Sequence, residues 1–357
     1  MTKVPDKPAF EGKWSVSHMI RDQRTLLLLC IIGLSIVTYI VNPRFLDPMN
    51  IVQIFGQISV VGVMTMGMSK VLLSGGVDLS IANIMTLSGC VMAVLIVGNT
   101  EGTVGGRADT DEMVYTVATS DTGITSVPVA ILIGMLVSVG CGFLNGIIIT
   151  KTKTMPLIIT LGTSQIFYGI SLVITTGRFM GFKMAFEPLR LTRIGGIVPI
   201  TLIIFIAIVV FTFILVNHTK YGRRIVAIGG NEQNARLSGI NVDRYKIATY
   251  MITGALCGLA AIIYASRLDA IKANSGREAG YELQALISAV IGGVTFDGGK
   301  GTIGGAFLGV LFMGLISNAM NLMQVSSYYQ AMITGIIIVV AVIISNLENI
   351  RKEFGMR

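Results

Sequence analysis

Long apolar runs separated by short polar turns dominate this chain. They fall at about 25–42, 51–73, 80–98, 126–150, 155–176, 196–217, 246–266, 283–294, 301–322 and 328–347, each with few or no charged residues. A helix needs roughly 20 apolar residues to cross the hydrocarbon core, so the pattern predicts about ten membrane-spanning helices. The expected architecture is an all-α membrane protein, a polytopic bundle with both termini cytoplasmic. A cytoplasmic N-terminal segment (1–24) precedes a single membrane domain (25–347), and a cytoplasmic tail (348–357) follows. The run 283–294 is short for a crossing, which leaves a re-entrant reading open. The first run begins near Leu26 after a long polar lead, and no small-residue cleavage site follows it. It reads as a retained helix rather than a signal peptide.

The turns carry the topology. The loop 218–246 holds Lys220, Arg223, Arg224, Arg236, Arg244 and Lys246 against Glu232 and Asp243, which marks it as cytoplasmic. The loop 99–125 holds Glu101, Asp109, Asp111, Glu112 and Asp121 against Arg107, which marks it as external. Lys151 and Lys153 mark another inner turn. The loop 177–194 counts as external yet contains Arg178, Lys183, Arg190 and Arg193.

Composition agrees: 53% of residues are hydrophobic, 13% are charged, and the mean hydropathy is +0.76. A net charge of +8 invites a nucleic-acid reading, but the basic residues sit in short loops between apolar runs instead of forming a phosphate-tracking face. Cys30, Cys90, Cys141 and Cys257 are isolated inside apolar runs, and the only histidines are His18 and His218. Neither a disulfide framework nor a metal site is expected.

Small residues recur at helical spacing. Gly142 and Gly146, Gly254 and Gly258, and Gly301, Gly305 and Gly309 have the small-xxx-small period that lets helices approach closely in lipid. There is also an internal echo. GGVDL at Gly75–Leu79 and GGVTFD at Gly292–Asp297 both end an apolar helix with two glycines and then place an aspartate. Weak similarity between halves is common in transporters with paired interrupted helices, and it suggests two-half pseudo-symmetry.

Motifs for chemistry are lacking. GGVTFDGGKGT resembles a phosphate loop superficially, but Val294 stands where a glycine is needed and Gly301 where Ser or Thr would hold magnesium. No GxGD, GxSxG or HExxH run occurs. No enzymatic function and no cofactor held by this chain are expected. The most informative polar stretch is TKYGRRIVAIGGNEQNARLSGINVDRYK, Thr219–Lys246. Asn231–Ser238 suits a short helix ended by Gly239, and such a helix between two spans has little core to bury. It reads either as a solvated linker or as an element that docks into a partner's groove.

AIGGNEQNARLSGINV, together with SGGVDLS, MPLIITLGTSQIFYGIS, GYELQALISAVIGGVTFDGGKGTIGG and VSSYYQ, resembles the permease subunits of bacterial ABC importers for ribose, galactose and related sugars. The resemblance runs in order from about Leu26 to Asn346. The insert at 99–125 is longer than in ribose-type permeases. The resemblance implies a multi-pass protein of the bacterial inner membrane that works as a dimer with a second permease, identical or related. It further implies a cytoplasmic ABC ATPase carrying ATP and magnesium, and a periplasmic or lipid-anchored sugar-binding protein. On that basis Gly230, Asn231, Glu232, Ala235, Arg236 and Gly239 form the element that couples to the ATPase, with Glu232, Ala235 and Gly239 as its Glu-Ala…Gly motif.

The remaining polar residues have competing readings. Gly75, Gly76, Asp78, Gly292, Gly293 and Asp297 mark helix breaks. Asp78 is either part of a gate or, more simply, a cap whose oxygen satisfies backbone N–H groups opening the next helix, with Asp297 in the matching place. Gln57, Asn83, Asn145, Thr163, Gln165, Asn318 and Asn321 are candidates to line a pathway. The simpler account of each is an interhelical hydrogen bond. Glu282 opens a helix, where a negative charge suits the helix dipole. The rival to an ATP-driven importer is an ion- or proton-coupled secondary transporter that uses Asp78 or Asp297.

Overall fold

The computed structural model describes residues 23–98, 125–195, 198–326, 328–337 and 339–340. The terminal segments, most of the external loop and the end of the last span therefore lie outside the described residues. In chain order the helices are α1 (Gln23–Val41), α2 (Pro48–Leu73), α3 (Ile81–Val97), α4 (Val127–Thr152), α5 (Pro156–Thr175), α6 (Glu187–Leu191), α7 (Ile200–Asn217), α8 (Lys220–Gly230), α9 (Glu232–Leu237), α10 (Val242–Leu268), α11 (Ser275–Glu278), α12 (Tyr281–Ile291) and α13 (Ile303–Leu322). A last helix, α14, covers 328–337. Among the described residues seven helices are long and apolar enough to cross a membrane. With the shorter apolar helices α3 and α12, and with α14, they account for the ten apolar runs.

α2 is the axis of the bundle. Every residue from Ile58 to Leu73 is buried, and the helix packs against α7, α10, α12 and α13. A helix apolar all round must be enclosed by other helices or lipid, and α2 takes the first course while α1 keeps most of its length exposed. Asp47 caps α2 by accepting from Met49 N at 2.9 Å, with Pro48 at the first helical position, where its missing N–H costs nothing.

The glycine pairs mark helix crossings. A Cβ on Gly142 or Gly146 would collide with the α10 backbone at Tyr250 or Ile247, and one on Gly254 with the Ser138 carbonyl of α4. Both pairs thus form one crossing, α4 against α10. Likewise Gly305 and Gly309 of α13 lie against the Gly292 and Ser288 carbonyls of α12. Without a hydrophobic force between helices in lipid, such close approach is what dispersion contacts require.

Two ends of the bundle emerge. β1 (Met180–Gly181) pairs antiparallel with β4 (Ala270–Ile271), and β2 (Arg193–Ile194) with β3 (Val198–Pro199). The first pairing places the basic loop 177–194 beside the end of α10 that lies away from the 218–246 loop. At eleven residues α12 spans only about 16 Å. The chain before it completes the passage: Gly276 N on α11 donates to Thr86 Oγ1 of α3 at 3.0 Å. After α12, Gly299 N donates to Leu73 O at 3.1 Å, at the 218–246 end. The 283–294 run therefore completes a crossing in two pieces and does not turn back.

The internal echo is real but its register differs from the sequence alignment. The left-handed residues that stop the two helices are Gly75 (φ 77°) and Gly293 (φ 90°). Gly76 N then bonds Val71 O and Val294 N bonds Ala289 O, both at 3.0 Å, the same Schellman pattern. Gly75 thus matches Gly293, so Phe296 occupies the place of Asp78. Asp297 is exposed while Asp78 is fully buried. The expected match of Asp297 to Asp78 fails because four more residues separate the second turn from its next helix, and they carry Asp297 outward.

Candidate functional site

The 218–246 loop folds as a small helical hairpin. Thr219 caps α8, and Asn231 closes α8 and opens α9, its extended backbone (φ −162°) placing Oδ1 2.8 Å from Asn234 N. Gly239 (φ 79°) ends α9, and Ile240 N returns to Ala235 O at 3.1 Å. Ala235 is the one buried residue of α9 and clusters with Ile228 and Val242. Ion pairs tie the helix to the start of α10: Arg236 to Glu232 (2.9 Å) and Asp243 (2.6 Å), and Lys246 to Glu232 (2.5 Å). Burial alone would raise the Glu232 carboxyl, but hydrogen bonds from Lys246 and then Arg236 outweigh it and hold it below the ordinary glutamate range. Ala235 thus anchors the element from within, and Glu232 ties it to α10 from the surface. What α9 offers outward is Leu237, 81% exposed on a polar surface. Sequence reading passed over Leu237, although a lone leucine within Glu-Gln-Asn-Ala-Arg is a visible signal.

The ion-paired face borders a cavity of about 360 Å³ whose other wall includes Gly75 and the α4–α5 turn at Lys153–Pro156. Just behind it glycines of three separate segments meet: Gly75, Gly229–Gly230 and Gly298–Gly299. A Cβ on Gly298 would lie 2.8 Å from Gly75 Cα and 2.9 Å from Gly229 O, and one on Gly299 2.6 Å from Gly230 N. Gly229 itself touches the Leu73 carbonyl and Gly299 N. Of these residues Gly75 and Gly230 were singled out in the sequence, whereas Gly229, Gly298 and Gly299 were not.

The turn at 75–80 is held from several sides. Asp78 Oδ1 accepts from Ser80 N (2.9 Å) and Ser80 Oγ (2.6 Å), so the carboxylate caps the turn one residue ahead of α3. Asn145 of α4 donates to Ser80 Oγ at 2.7 Å, and Thr160 of α5 accepts from Leu79 N at 3.2 Å. Asp78 Oδ2 and Lys70 Nζ are buried with no hydrogen-bond partner among the described residues. Gly292 packs against Gly305 in the matching turn.

At the other end, α2, α10, α12, α13 and α14 enclose a cavity of about 510 Å³, within the range of about 300–1,000 Å³ usual for small-molecule sites. Gln57, Arg267, Tyr281, Gln284 and Ser317 supply donors and acceptors to its wall. Gln165 and Asn321 stand one hydrogen bond behind it, through Arg277 (3.3 Å) and Gln330 (3.0 Å). The other candidates lie elsewhere. Asn83 donates to Ser164 O and Oγ, Asn145 to Ser80, and Thr163 to Thr160 O, while Asn318 pairs with Asn50. Glu282 sits in the first turn of α12 with Oε2 buried and unpartnered among the described residues.

Comparison with known proteins adds a family. Residues 50–342 match the family described as branched-chain amino acid transport system / permease component. The chain is 36% identical over 319 residues to the ribose import permease protein RbsC of Bacillus subtilis, covering 88% of this chain and 90% of that one. It is 35% identical over 304 residues to the D-allose transport system permease protein AlsC of Escherichia coli, covering 85% of each. To the L-arabinose transport system permease protein AraH of Escherichia coli it is 32% identical over 335 residues, 94% of this chain and 93% of that one. No solved structure gives a significant match.

Proposed function

The chain belongs to the branched-chain amino acid transport system / permease component family, and from that premise we propose that it imports a monosaccharide across the bacterial inner membrane as the spanning subunit of an ABC importer. ATP and magnesium belong to a cytoplasmic ATPase partner, and a periplasmic or lipid-anchored binding protein delivers the sugar to a dimer of permeases. The solute passes by alternating access, the ATPase closing on α9 and moving the helices behind it as rigid bodies. The polar cavity at the opposite end suits hydroxyl groups, with the amides of Gln57 and Gln284, the guanidinium of Arg267 and the Ser317 hydroxyl in its wall.

The observation that supports this reading most is Leu237, an apolar side chain held in solvent on a helix otherwise braced by ion pairs. Replacing Glu232 would dismantle that bracing, so Leu237→Asp is the cleaner test. It should abolish ATPase co-purification and uptake while the bundle stays folded. A variant that still captures the ATPase would sink the coupling role of α9. The ion-coupled alternative draws on the buried Asp78 Oδ2, which has no hydrogen-bond partner among the described residues. Uptake that survives ATP depletion but stops with an uncoupler would favour it.

A further inference from the structure

We infer that Gly75, Gly229–Gly230 and Gly298–Gly299 form a side-chain-free transmission joint that carries movement of α9 into both interrupted helix hairpins. The inference rests on the importer reading. Gly229 and Gly230 are the last residues of α8, directly before the Asn231 cap of α9. They lie between the α2–α3 turn and the α12–α13 loop, and those two are themselves joined by the 3.1 Å bond from Gly299 N to Leu73 O. No rotamer stands between the three segments. A displacement that side chains would absorb by changing conformer must here move backbone against backbone, and packed interiors are stiff.

The 295–300 stretch is built to reach this point. Thr295 N bonds Lys300 O at 3.1 Å, closing a small loop whose tip is Gly298–Gly299. The second turn is four residues longer than the first, and within it Gly298–Gly299 reaches α8. Gly298 and Gly299 take left-handed conformations (φ 81° and 67°), which adds a backbone reason for glycine there. Gly229 has no such reason. It is helical, where alanine is favoured over glycine, so only the contacts with Leu73 O and Gly299 N account for the absence of a side chain.

The turns the joint would drive are anchored in the bundle. Asn145, Thr160 and Tyr250 grip residues 76–80 from α4, α5 and α10. Gly292 and Gly301 lock the second turn through Gly305 and Val294. Movement delivered at Gly229 therefore reaches elements of both halves at once.

The test uses the complete complex, permease with its ATPase and binding protein, in proteoliposomes. Gly229→Ala should still assemble, while sugar transported per ATP hydrolysed falls about tenfold, within the 5–150-fold range of ordinary coupling energies. Gly304→Ala, on α13 near the same loop but facing open space, should match the wild type. Equal behaviour of the two variants would overturn the proposal. Hydrogen exchange on the wild-type complex decides the matter independently of any folding defect. The Gly299 amide should stay protected both without nucleotide and in the nucleotide-trapped state, and loss of protection in either would overturn the joint. If the wild-type chain binds no ATPase, the importer reading fails and the transmission role with it. A coupled wild type with a fully coupled Gly229→Ala defeats the joint alone.

Discussion

Asn50 and Asn318, 268 residues apart, exchange two amide hydrogen bonds of 3.1 and 2.7 Å across the buried crossing of α2 and α13. Asn50 also donates to Phe45 O at 2.9 Å, which ties the turn before α2 into the same pair. Removing either partner leaves a buried amide unsatisfied, at a cost of about 1–3 kcal/mol. Asn318→Ala should lower the melting temperature of the detergent-solubilised protein. Asn50→Ala with Asn318→Ala should cost less than the sum of the single changes. Strict additivity in that cycle would show that the bonds contribute nothing.

The α4–α10 crossing gives a second test. A methyl group on Gly142 meets the Tyr250 carbonyl, whereas one on Gly140 of the same helix meets nothing within 4 Å. Gly142→Ala should destabilise by about 1–3 kcal/mol, the usual cost of overpacking, and Gly140→Ala should be neutral or better. Thermal melting of the two variants side by side checks this.

The ion cluster on α9 sets a pH dependence. A carboxyl whose value is depressed on folding stabilises above its unfolded value, and that contribution is lost as pH falls through the folded one. The bracing by Glu232 is therefore complete at neutral pH and fades below the ordinary glutamate value of 4.5. Amide exchange across 232–240, corrected for intrinsic rates, should quicken relative to the rest of the chain on acidification. Glu232→Gln should show that fast exchange already at pH 7 and lose the acid response. A response that persists in Glu232→Gln would assign it to another group.

At the turn before α3, Asp78 Oδ1 needs only to accept from Ser80, and an asparagine oxygen can do the same. Asp78→Asn should keep uptake within about threefold of wild type, while Asp78→Leu, with no acceptor left for a buried N–H, should cost about 1–3 kcal/mol of stability. Transport assays on Asp78→Asn separate the two readings of this residue, since loss of transport in a stable variant would require its charge.

For the cavity away from α9, Gln57→Met removes an amide from the wall while keeping the length of the side chain. Uptake should then show a KM raised about two- to tenfold, with ATPase co-purification unchanged, because a lost hydrogen bond to a hydroxyl is worth about 0.5–1.5 kcal/mol. An unaltered KM would remove Gln57 from the path of the solute.

The number and order of the membrane segments were legible in the sequence because crossing a bilayer is a one-dimensional demand: enough consecutive apolar residues, then a polar turn. So was the short helix from Asn231 to Gly239, since its cap and its stop are local. The tight helix contacts were legible as glycine spacing, although the spacing names no partner. That Gly142 and Gly146 face α10 and Gly254 and Gly258 face α4, while Gly305 and Gly309 face α12, depends on which helices lie side by side.

Sequence alone determined that this is a bundle of about ten apolar helices interrupted twice at paired glycines, because hydropathy, capping and turn chemistry act between near neighbours. Tertiary structure decided the rest. It placed Phe296 rather than Asp297 at the position equivalent to Asp78, paired Glu232 with Lys246 and Arg236, and left Leu237 in solvent. It also brought Gly75, Gly229 and Gly298 into backbone contact from three distant segments. Those outcomes follow from close approach between segments far apart in the chain, which no local pattern of residues specifies.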